Sequence, residues 1–296
     1  MKVYLGTHRP TWLALPGPAL MVSLNTLPNH PAWRAQVPWF LDSGGFTELQ
    51  KYGRWRTTAD QHIIRSRHAM KIGRLVYASP QDWMCEPIVI NGGTTPTGLK
   101  FAGTGLSVLE HQQRTVANLL DLRRFGADVP WVPVLQGFTI DEYHHCADMY
   151  EAAGVRLVDE PLIGLGSVCR RQAMGEATEI VQSLAQRGYR LHGFGFKQDG
   201  IEACWPWLES VDSMAWSYNA RAEGRKGVTC GRPNGRGGTV KSCGNCRHYA
   251  LEWLARTESR VAPLQGSLLA ELRSYERTNS DRLVPAVMQP ADTDQR

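Results

Sequence analysis

The sequence predicts an α/β fold, a TIM-like (β/α)8 barrel, and three observations lead to that prediction. Short apolar runs alternate with longer stretches of helical periodicity between residues 20 and 216. The apolar runs are continuous, which is typical of a parallel sheet whose two faces are both covered by helices. The 296 residues hold seven or eight such strand–helix units, and that number favours a closed barrel over an open sheet.

Strands and helices are assigned from the hydropathy pattern and from residues that cap helices. Apolar runs predict strands over 19–24, 37–41, 75–78, 131–135, 162–165, 190–194 and 211–216. Helical periodicity predicts helices over 58–71, 108–125, 141–153, 171–187 and 200–208. Thr139 and Glu142 have the Thr-x-x-Glu spacing of a capping box, which places the start of one helix at Thr139.

The alternation is interrupted once and then ends. Residues 91–105 are rich in Gly and Thr, so they predict no regular element and would form a flexible connection over one mouth of the barrel. After residue 217 a cysteine-containing segment follows, and two further helices are expected over 249–257 and 268–277. The chain is accordingly divided into the main part of the barrel at 1–216, a basic module with the closing helices at 217–284 and a flexible tail at 285–296.

Composition excludes some classes of protein. No apolar run approaches the roughly 20 residues that a membrane-spanning helix needs, and the N-terminus lacks the basic head and apolar run of a secretory signal. We therefore expect a cytoplasmic protein with no membrane partner. The net charge of +5 is mildly basic, which is compatible with a polyanionic partner such as nucleic acid.

Basic residues are concentrated after the barrel. Between residues 221 and 260 there are nine basic residues and only three acidic ones. One interpretation is a surface that binds a nucleic-acid backbone, and the alternative is an ordinary solvated loop region. The side chains expected to contact phosphates are Arg221, Arg225, Lys226, Arg232, Arg236 and Lys241.

Three of the seven cysteines form a pattern that predicts a metal site. Cys243 and Cys246 belong to a Cys-Gly-Asn-Cys turn, Cys230 precedes the turn, and His248 follows it. Together these four residues supply a tetrahedral zinc shell, in an inserted or C-terminal zinc-binding module. Three thiolates leave little room for an open coordination position, so the zinc is expected to be structural. A redox Cys-x-x-Cys pair and a chance arrangement are the alternatives.

Polar residues follow the predicted strands at positions that a barrel brings together. Active sites of (β/α)8 barrels lie at the carboxyl ends of the strands. Carboxylate and amide groups read the donor and acceptor edge of a heterocycle, and glycines let a planar ligand approach the backbone. The alternative is that each Asp only caps the helix that follows it. The residues in question are Asp42, Asp82, Gln136, Gly137, Gly166, Ser167, Gly195 and Asp212.

Taken together, these segments make the sequence similar to the tRNA-guanine transglycosylase superfamily, and within it to the phage enzymes that insert 7-deazaguanines into DNA. The run Asp42-Ser43-Gly44-Gly45-Phe46 resembles the Asp-Ser-Gly-Gly-Phe/Tyr signature of the superfamily, whose Asp is the general acid/base. Asp212-Ser213 resembles the archaeal Phe-Asp-Ser segment, whose Asp is the nucleophile. The resemblance assigns base binding to Asp82, Gln136, Gly137, Gly166, Ser167 and Gly195.

The resemblance implies covalent base exchange with retention at C1′, since two displacements occur at one carbon. Asp212 would attack C1′ of a flipped-out guanosine, and an entering 7-deazaguanine would lose its N9 proton to Asp42. DNA is the preferred acceptor, because the chain is short and its cysteine spacing differs from the compact Cys-x-Cys-x2-Cys of the tRNA enzymes. Members often form homodimers, although no sequence feature here marks an interface.

Three alternatives stay open at this point. The acceptor could be tRNA, the protein could bind nucleic acid through its zinc module without catalysis, or the barrel could act on a small molecule. Retention of both Asp42 and Asp212 argues against a pure binding protein, because neither carboxylate helps to hold a polyanion. The basic segment argues against a small-molecule enzyme.

Overall fold

The computed structural model describes residues 1–29, 31–168, 175–233 and 237–280. Eight of the strands in this part of the chain form one parallel sheet, and β5 and β6 form a separate antiparallel hairpin. The strands are β1 (Lys2–Thr7), β2 (Leu20–Ser23), β3 (Trp39–Asp42), β4 (Leu75–Ala78), β5 (Gly93–Thr94), β6 (Lys100–Phe101), β7 (Val134–Leu135), β8 (Ile163–Leu165), β9 (Leu191–Gly193) and β10 (Ser210–Ser213).

The parallel sheet curls until its two edge strands meet. Its strand order is β4-β3-β2-β1-β10-β9-β8-β7. The backbone N–H of Ala78 donates to the carbonyl of Pro130 at 2.9 Å, and the N–H of Val132 donates to the carbonyl of Ala78 at 3.1 Å. A parallel bridge between Ala78 and Trp131 thus joins β4 to the segment that leads into β7. The predicted TIM-like α/β fold is confirmed.

Helices follow the strands and cover the sheet. Ser107 and Thr139 begin α4 and α5 with complete capping boxes, in which the side chains of Glu110 and Glu142 return to the cap backbone. Within the described residues, no helix combines the length and the hydropathy that crossing a bilayer requires. The helices are α1 (Gly45–Tyr52), α2 (Ala59–Met70), α3 (Pro87–Asn91), α4 (Val108–Phe125), α5 (Ile140–Ala152), α6 (Gly175–Ala185), α7 (Gln198–Cys204), α8 (Ala215–Gly224) and α9 (Arg247–Ser280).

The structure differs from the sequence-based assignment at several elements. The central strand β1 was not predicted, because Tyr4, Gly6 and Thr7 interrupt its apolar run although they are buried in the sheet. The two helices expected at the C-terminal end form the single helix α9, which continues through Pro263. Proline removes one backbone hydrogen bond and disfavours a helix interior, so the sequence indicated a break that the structure does not have.

The segment 91–105 was predicted to lack regular structure, and this was wrong. It forms the hairpin β5–β6, which packs against α1. The N–H of Ala102 donates to the carbonyl of Gln50 at 2.9 Å, and the rings of Phe46 and Phe101 meet edge to face at 5.8 Å. These contacts with α1 supply the order that the Gly- and Thr-rich composition does not indicate. The division into 1–216 and 217–284 stays a prediction, and the tail 285–296 lies outside the described residues.

Apolar side chains fill the structure on both sides of the sheet. The larger cluster lies between the strands and the helices and includes Leu5, Trp39, Leu135 and Leu165. A smaller cluster forms from side chains on the other face of the strands, namely Tyr4, Met21, Phe40, Val132 and Leu162. Because alternate residues of a strand point to opposite faces, β1, β2 and β3 each contribute to both clusters. Met21 of the second cluster also lines the space at the carboxyl ends of the strands.

Trp216, the second residue of α8, connects that helix to β1. Its side chain is 1% exposed, its ring lies 5.6 Å from that of Trp12, and its indole N–H donates to the carbonyl of Gly6 at 2.8 Å. We expect Trp216→Ala to lower the free energy of unfolding by about 3–5 kcal/mol through the cavity it leaves. Trp216→Phe keeps most of the volume but leaves a buried carbonyl unpaired, which costs about 1–3 kcal/mol.

Urea unfolding of both variants measures these two losses. Trp207→Ala is the matched control, because Trp207 is only partly buried and packs at the margin of the core. A loss for Trp216→Ala no larger than that for Trp207→Ala would contradict the role of Trp216 in joining α8 to β1.

Candidate active site

A cavity of about 560 Å³ opens at the carboxyl ends of the barrel strands. It brings together both predicted catalytic carboxylates and all but one of the predicted base-binding residues. Gly137 is the exception and does not line the cavity. A Cβ atom at this position would lie 2.9 Å from the backbone nitrogen of Tyr143. Gly137 therefore allows α5 to pack closely behind Gln136. The predicted residues that line the cavity are Asp42, Asp82, Gln136, Gly166, Ser167, Gly195 and Asp212.

Asp42 is the last residue of β3, and the glycines after it form a tight turn. Gly44 has a φ of 83°, a left-handed conformation that favours glycine, and its N–H donates to Oδ2 of Asp42 at 3.2 Å. Burial raises the pKa of Asp42 to about 6, the side chain of Ser23 opposes the rise, and the charge of Asp212 adds to it. A carboxyl with this pKa can both donate and accept a proton near neutral pH.

Asp82 and Gln136 form a short hydrogen bond inside the cavity. The amide nitrogen of Gln136 donates to Oδ2 of Asp82 at 2.5 Å. Burial raises the pKa of Asp82 to about 7, and the neighbouring charge of Asp42 raises it further. The backbone carbonyl of Gln136 accepts from the side chain of Gln112 at 2.8 Å, which fixes the position of the residue. The pair therefore presents an acceptor and an amide in a rigid arrangement.

Ser167 extends this pair to a second carboxyl group, that of Glu86. Its hydroxyl oxygen lies 2.6 Å from Oε1 of Gln136 and 2.9 Å from Oε2 of Glu86, and it accepts from the N–H of Cys85 at 2.8 Å. A serine hydroxyl carries one proton, so it donates to only one of its two acceptors at a time. The hydroxyl therefore donates either to the amide oxygen of Gln136 or to the carboxylate of Glu86.

The glycine at position 166 has a steric reason. A Cβ atom there would collide with the side-chain amide of Gln136. The following residue, Ser167, has a φ of 58°, which residues other than glycine and asparagine rarely adopt. Gly166 thus leaves space for the amide, and the strained backbone at Ser167 turns its hydroxyl toward Gln136 and Glu86.

Asp212 reaches the cavity from β10. Its Oδ1 atom accepts a hydrogen bond of 2.9 Å from the backbone N–H of Gly195, a residue with a φ of 68° in the turn after β9. The side chain of Asp212 is 12% exposed, so it is largely withdrawn from water but still open to the cavity. This geometry is suited to a carboxylate that meets a ligand rather than to one that caps a helix.

Some lining residues were not predicted. Ser23, at the end of β2, is paired in register with Asp42 and lowers the pKa of its carboxyl, and Tyr218 on α8 lies at the rim with 63% of its surface exposed. Thr7 and His8 line the cavity because β1 ends there, and β1 was not predicted. The rule that strand ends form the site would have identified Ser23 from sequence, since the strand 19–24 was assigned. It could not identify residues that follow an unassigned strand.

Three of the four predicted metal ligands lie together. The sulfur atoms of Cys230, Cys243 and Cys246 are all within 4.8 Å of one another, and those of Cys230 and Cys246 are 3.8 Å apart. Such a group could hold a metal ion. His248 is not part of it, because its Nε2 atom lies 2.9 Å from Oε1 of Glu252, four residues along α9.

The cysteine turn is attached to the helix that follows Asp212. On α8, the hydroxyl of Ser217 donates to the carbonyl of Gly244, between Cys243 and Cys246, at 2.5 Å. The guanidinium of Arg221 donates to the same hydroxyl at 2.9 Å. The turn thereby supports α8 from outside the barrel.

The predicted phosphate-binding side chains are on the surface wherever they can be described. Arg221 lies in the last turn of α8, the helix that carries Tyr218 at the cavity rim, and Arg225 and Lys226 follow the end of that helix. Arg232 and Lys241 are exposed within the cysteine segment. Arg236 lies outside the described residues.

The raised pKa of Asp82 predicts a pH-dependent stability. The folded chain keeps a proton on Asp82 up to about pH 7, whereas the ordinary pKa is 3.8, so this group makes folding less favourable as the pH rises from about 4 to about 7. Asp82→Asn cannot ionise and still offers an acceptor to Gln136. We expect this variant to be about 1–3 kcal/mol more stable than the parent protein near about pH 8, with the gain shrinking toward about pH 5.

Urea unfolding at the two pH values measures the effect. The control is Asp128→Asn, because Asp128 is exposed and the Arg67 guanidinium lowers the pKa of Asp128, which predicts no such gain. Equal stability of Asp82→Asn and the parent protein at high pH would contradict a raised pKa at Asp82.

Comparison with known families identifies the chain. None of the individually curated proteins matches it. The sequence model of one family, described as DpdA, DeoxyPurine in DNA protein A, matches residues 1–286. That match extends over far more than half of the chain and includes every residue of the cavity and of the cysteine cluster. The chain belongs to the DpdA family, whose members are tRNA-guanine transglycosylase-like enzymes that insert 7-deazaguanine into DNA.

Proposed function

We propose that this protein exchanges guanine in DNA for a 7-deazaguanine base through a covalent glycosyl-aspartate. The observation that carries the proposal is that Asp42 and Asp212 line the same cavity as the Asp82–Gln136 pair. Exchange at a glycosidic carbon requires a nucleophile, a group that moves a proton, and a site for the planar base. The cavity contains candidates for all three.

Base recognition falls to the carboxylate–amide pair and its neighbours. A guanine and a 7-deazaguanine share the pyrimidine ring, whose edge carries an amide-like N–H, an amino group and a carbonyl. Asp82 is the acceptor for the donors of that edge, and Gln136 and the backbone at Gly166 and Ser167 meet its remaining groups. Gly195 has no side chain, so the backbone beside Asp212 leaves space for the base. The same contacts serve the leaving base and the entering one.

The chemistry is two displacements at C1′. Asp212 attacks C1′, the C1′–N9 bond breaks, and the electron pair remains on N9 of guanine, which takes a proton from Asp42. The entering base then gives its N9 proton to Asp42, attacks C1′ and releases the Asp212 carboxylate. Two inversions retain the configuration. The pKa of Asp42, raised to about 6 by burial, suits a group that alternates between acid and base.

DNA is the acceptor that family membership favours over tRNA. The target nucleotide must leave the base stack to reach a cavity at the end of a barrel. We assign the adjacent phosphates to the exposed basic residues Arg221, Arg225, Lys226, Arg232 and Lys241, and binding is then strongly salt-dependent. Arg236 and a homodimer remain predictions.

The cysteine cluster fits zinc. Two ligands of a tetrahedral ion with Zn–S distances of about 2.3 Å lie about 3.8 Å apart, and the sulfur atoms of Cys230 and Cys246 are separated by 3.8 Å. Zinc held by these residues and Cys243 would link the turn to the rest of the module within 217–284. The fourth ligand is His248 after rotation away from Glu252, or a water molecule. The role is structural, through the support that the turn provides to α8.

The decisive experiment follows guanine release from DNA and, in parallel, from tRNA, each labelled in guanine and supplied with a 7-deazaguanine. We expect release from DNA, reduced by about 10³-fold or more in Asp212→Ala and in Asp42→Ala, because each removes a group that acts on the reacting atoms. Asp128→Ala is the control, because Asp128 is exposed and does not line the cavity. Release from tRNA alone overturns the acceptor, and salt-dependent binding without release favours a non-catalytic binding protein.

Metal content tests the cysteine cluster. We expect about one zinc per chain in the purified protein, and loss of that zinc with a lower melting temperature in Cys243→Ala, since a structural site is lost with any thiolate ligand. Cys204→Ala is the matched control, because Cys204 is buried in the barrel and outside the cluster. Full zinc content in Cys243→Ala would exclude this site, and full content in His248→Ala would exclude His248 as a ligand.

A further inference from the structure

His192 lies directly behind the proposed nucleophile and is used by no step described so far. It is on β9, next to β10, and the two strands are in register at His192 and Ser210. One ring nitrogen, Nδ1, is 2.8 Å from the hydroxyl of Ser210, and the other, Nε2, is 3.5 Å from Oδ1 of Asp212. Ser210 and Asp212 are two residues apart on β10, so both point toward the same imidazole.

We propose that His192 is a positioning residue for Asp212, whose orientation it sets through Nε2–H, with Ser210 fixing the imidazole from the other side. The inference rests on the proposed function of Asp212 as nucleophile. It concerns how the chain holds that carboxylate, and it does not depend on the identity of the entering base.

The described side chains that pack against the ring of His192 are aromatic and offer Nε2 no hydrogen bond. The residue is fully buried, and its ring packs against the rings of Phe40 and Phe194, each at 4.8 Å, and of Tyr4 at 5.8 Å. Among the described residues, Nε2 has no hydrogen-bond partner. A buried polar atom without a partner is unfavourable. Placed 3.5 Å from a carboxylate oxygen, it becomes a hydrogen bond with a small shift of either group.

The contact with Ser210 decides which nitrogen carries the proton. If the hydroxyl donates to Nδ1, the proton of a neutral imidazole must be on Nε2. If the imidazole is charged, both nitrogens carry protons. Only the remaining form, neutral with the proton on Nδ1, would direct a lone pair at the Asp212 carboxylate, and electrostatic repulsion disfavours it. In each favoured form Nε2–H faces Asp212.

This contact gives the two carboxylate oxygens of Asp212 different roles. Oδ1 already accepts from the N–H of Gly195, and Nε2–H of His192 approaches the same atom. Oδ2 is then the oxygen that attacks C1′. In the glycosyl-aspartate Oδ1 is the ester carbonyl, where charge develops when the carboxylate departs. Donors aimed at that atom assist departure, so His192 acts mainly on the second displacement.

The test follows the covalent protein–DNA adduct in His192→Phe, His192→Gln and Ser210→Ala. The adduct is formed in the absence of a 7-deazaguanine, a 7-deazaguanine is then added, and the rate at which the adduct disappears is measured. His192→Phe keeps an aromatic ring in the aromatic cluster but has no donor. We expect its adduct to disappear about 10- to 100-fold more slowly than in the parent protein, less than the 10²–10³ typical for a donor on the reacting oxygen itself. DNA affinity should stay within about twofold.

Two further variants separate positioning from packing. The amide of His192→Gln offers a donor at a similar distance along the side chain, so this variant should resolve the adduct faster than His192→Phe. Ser210→Ala should slow resolution in the parent background and add nothing to His192→Phe, since Ser210 acts only through the imidazole.

The outcomes distinguish this inference from the proposed function. No adduct and no guanine release in the parent protein would overturn both. An adduct that requires Asp212 but is resolved at the parental rate in His192→Phe would overturn the role of His192 alone. Equal slowing of adduct formation and resolution in all three variants, with lower melting temperatures, would also overturn it, because that pattern is structural damage.

Discussion

Closure of the sheet between β4 and β7 is the constraint on which the site depends. The backbone contact at Ala78 and Trp131 brings the ends of these two strands together. Just beyond it, Asp82 follows β4 and Gln136 follows β7, and their side chains bond at 2.5 Å. The proposed base-binding pair therefore exists only because the barrel closes. Ser167, at the end of β8, and Glu86 extend the same network around the rim.

The cavity concentrates carboxyl groups in a poorly solvated place, and this is unfavourable for folding. Burial raises the pKa values of Asp42 and Asp82, and each is raised further by the charge of another carboxylate in the cavity. Hydrogen bonds from Gly44 and Gln136 offset part of the penalty. Carboxyl groups with pKa values perturbed in this way are typical of functional sites. The apolar core compensates for this loss of folding stability.

Asp212, the proposed nucleophile, is supported from two sides. Within the barrel, Gly195 and the imidazole of His192 approach Oδ1 of Asp212. Outside it, α8 begins just after the strand of Asp212 and is bonded through Ser217 to the cysteine turn. Tyr218 and Arg221 are on the same helix, one at the rim and the other on the surface. The cysteine module thus connects the candidate nucleic-acid surface to the position of Asp212.

The alternation of apolar runs and helical periods by itself determined the fold class, the bounds of α4 and the strand ends that meet at the cavity, because these depend on local patterns of side chains. The spacing of the cysteines separately indicated the cluster that they form. The alternation did not indicate β1, whose Tyr4, Gly6 and Thr7 are buried only because neighbouring strands cover them. It also could not place Ser167 between Gln136 and Glu86, or His192 behind Asp212. Those contacts join residues from different strands and loops, and only the closure and register of the sheet decide which side chains come within hydrogen-bonding distance.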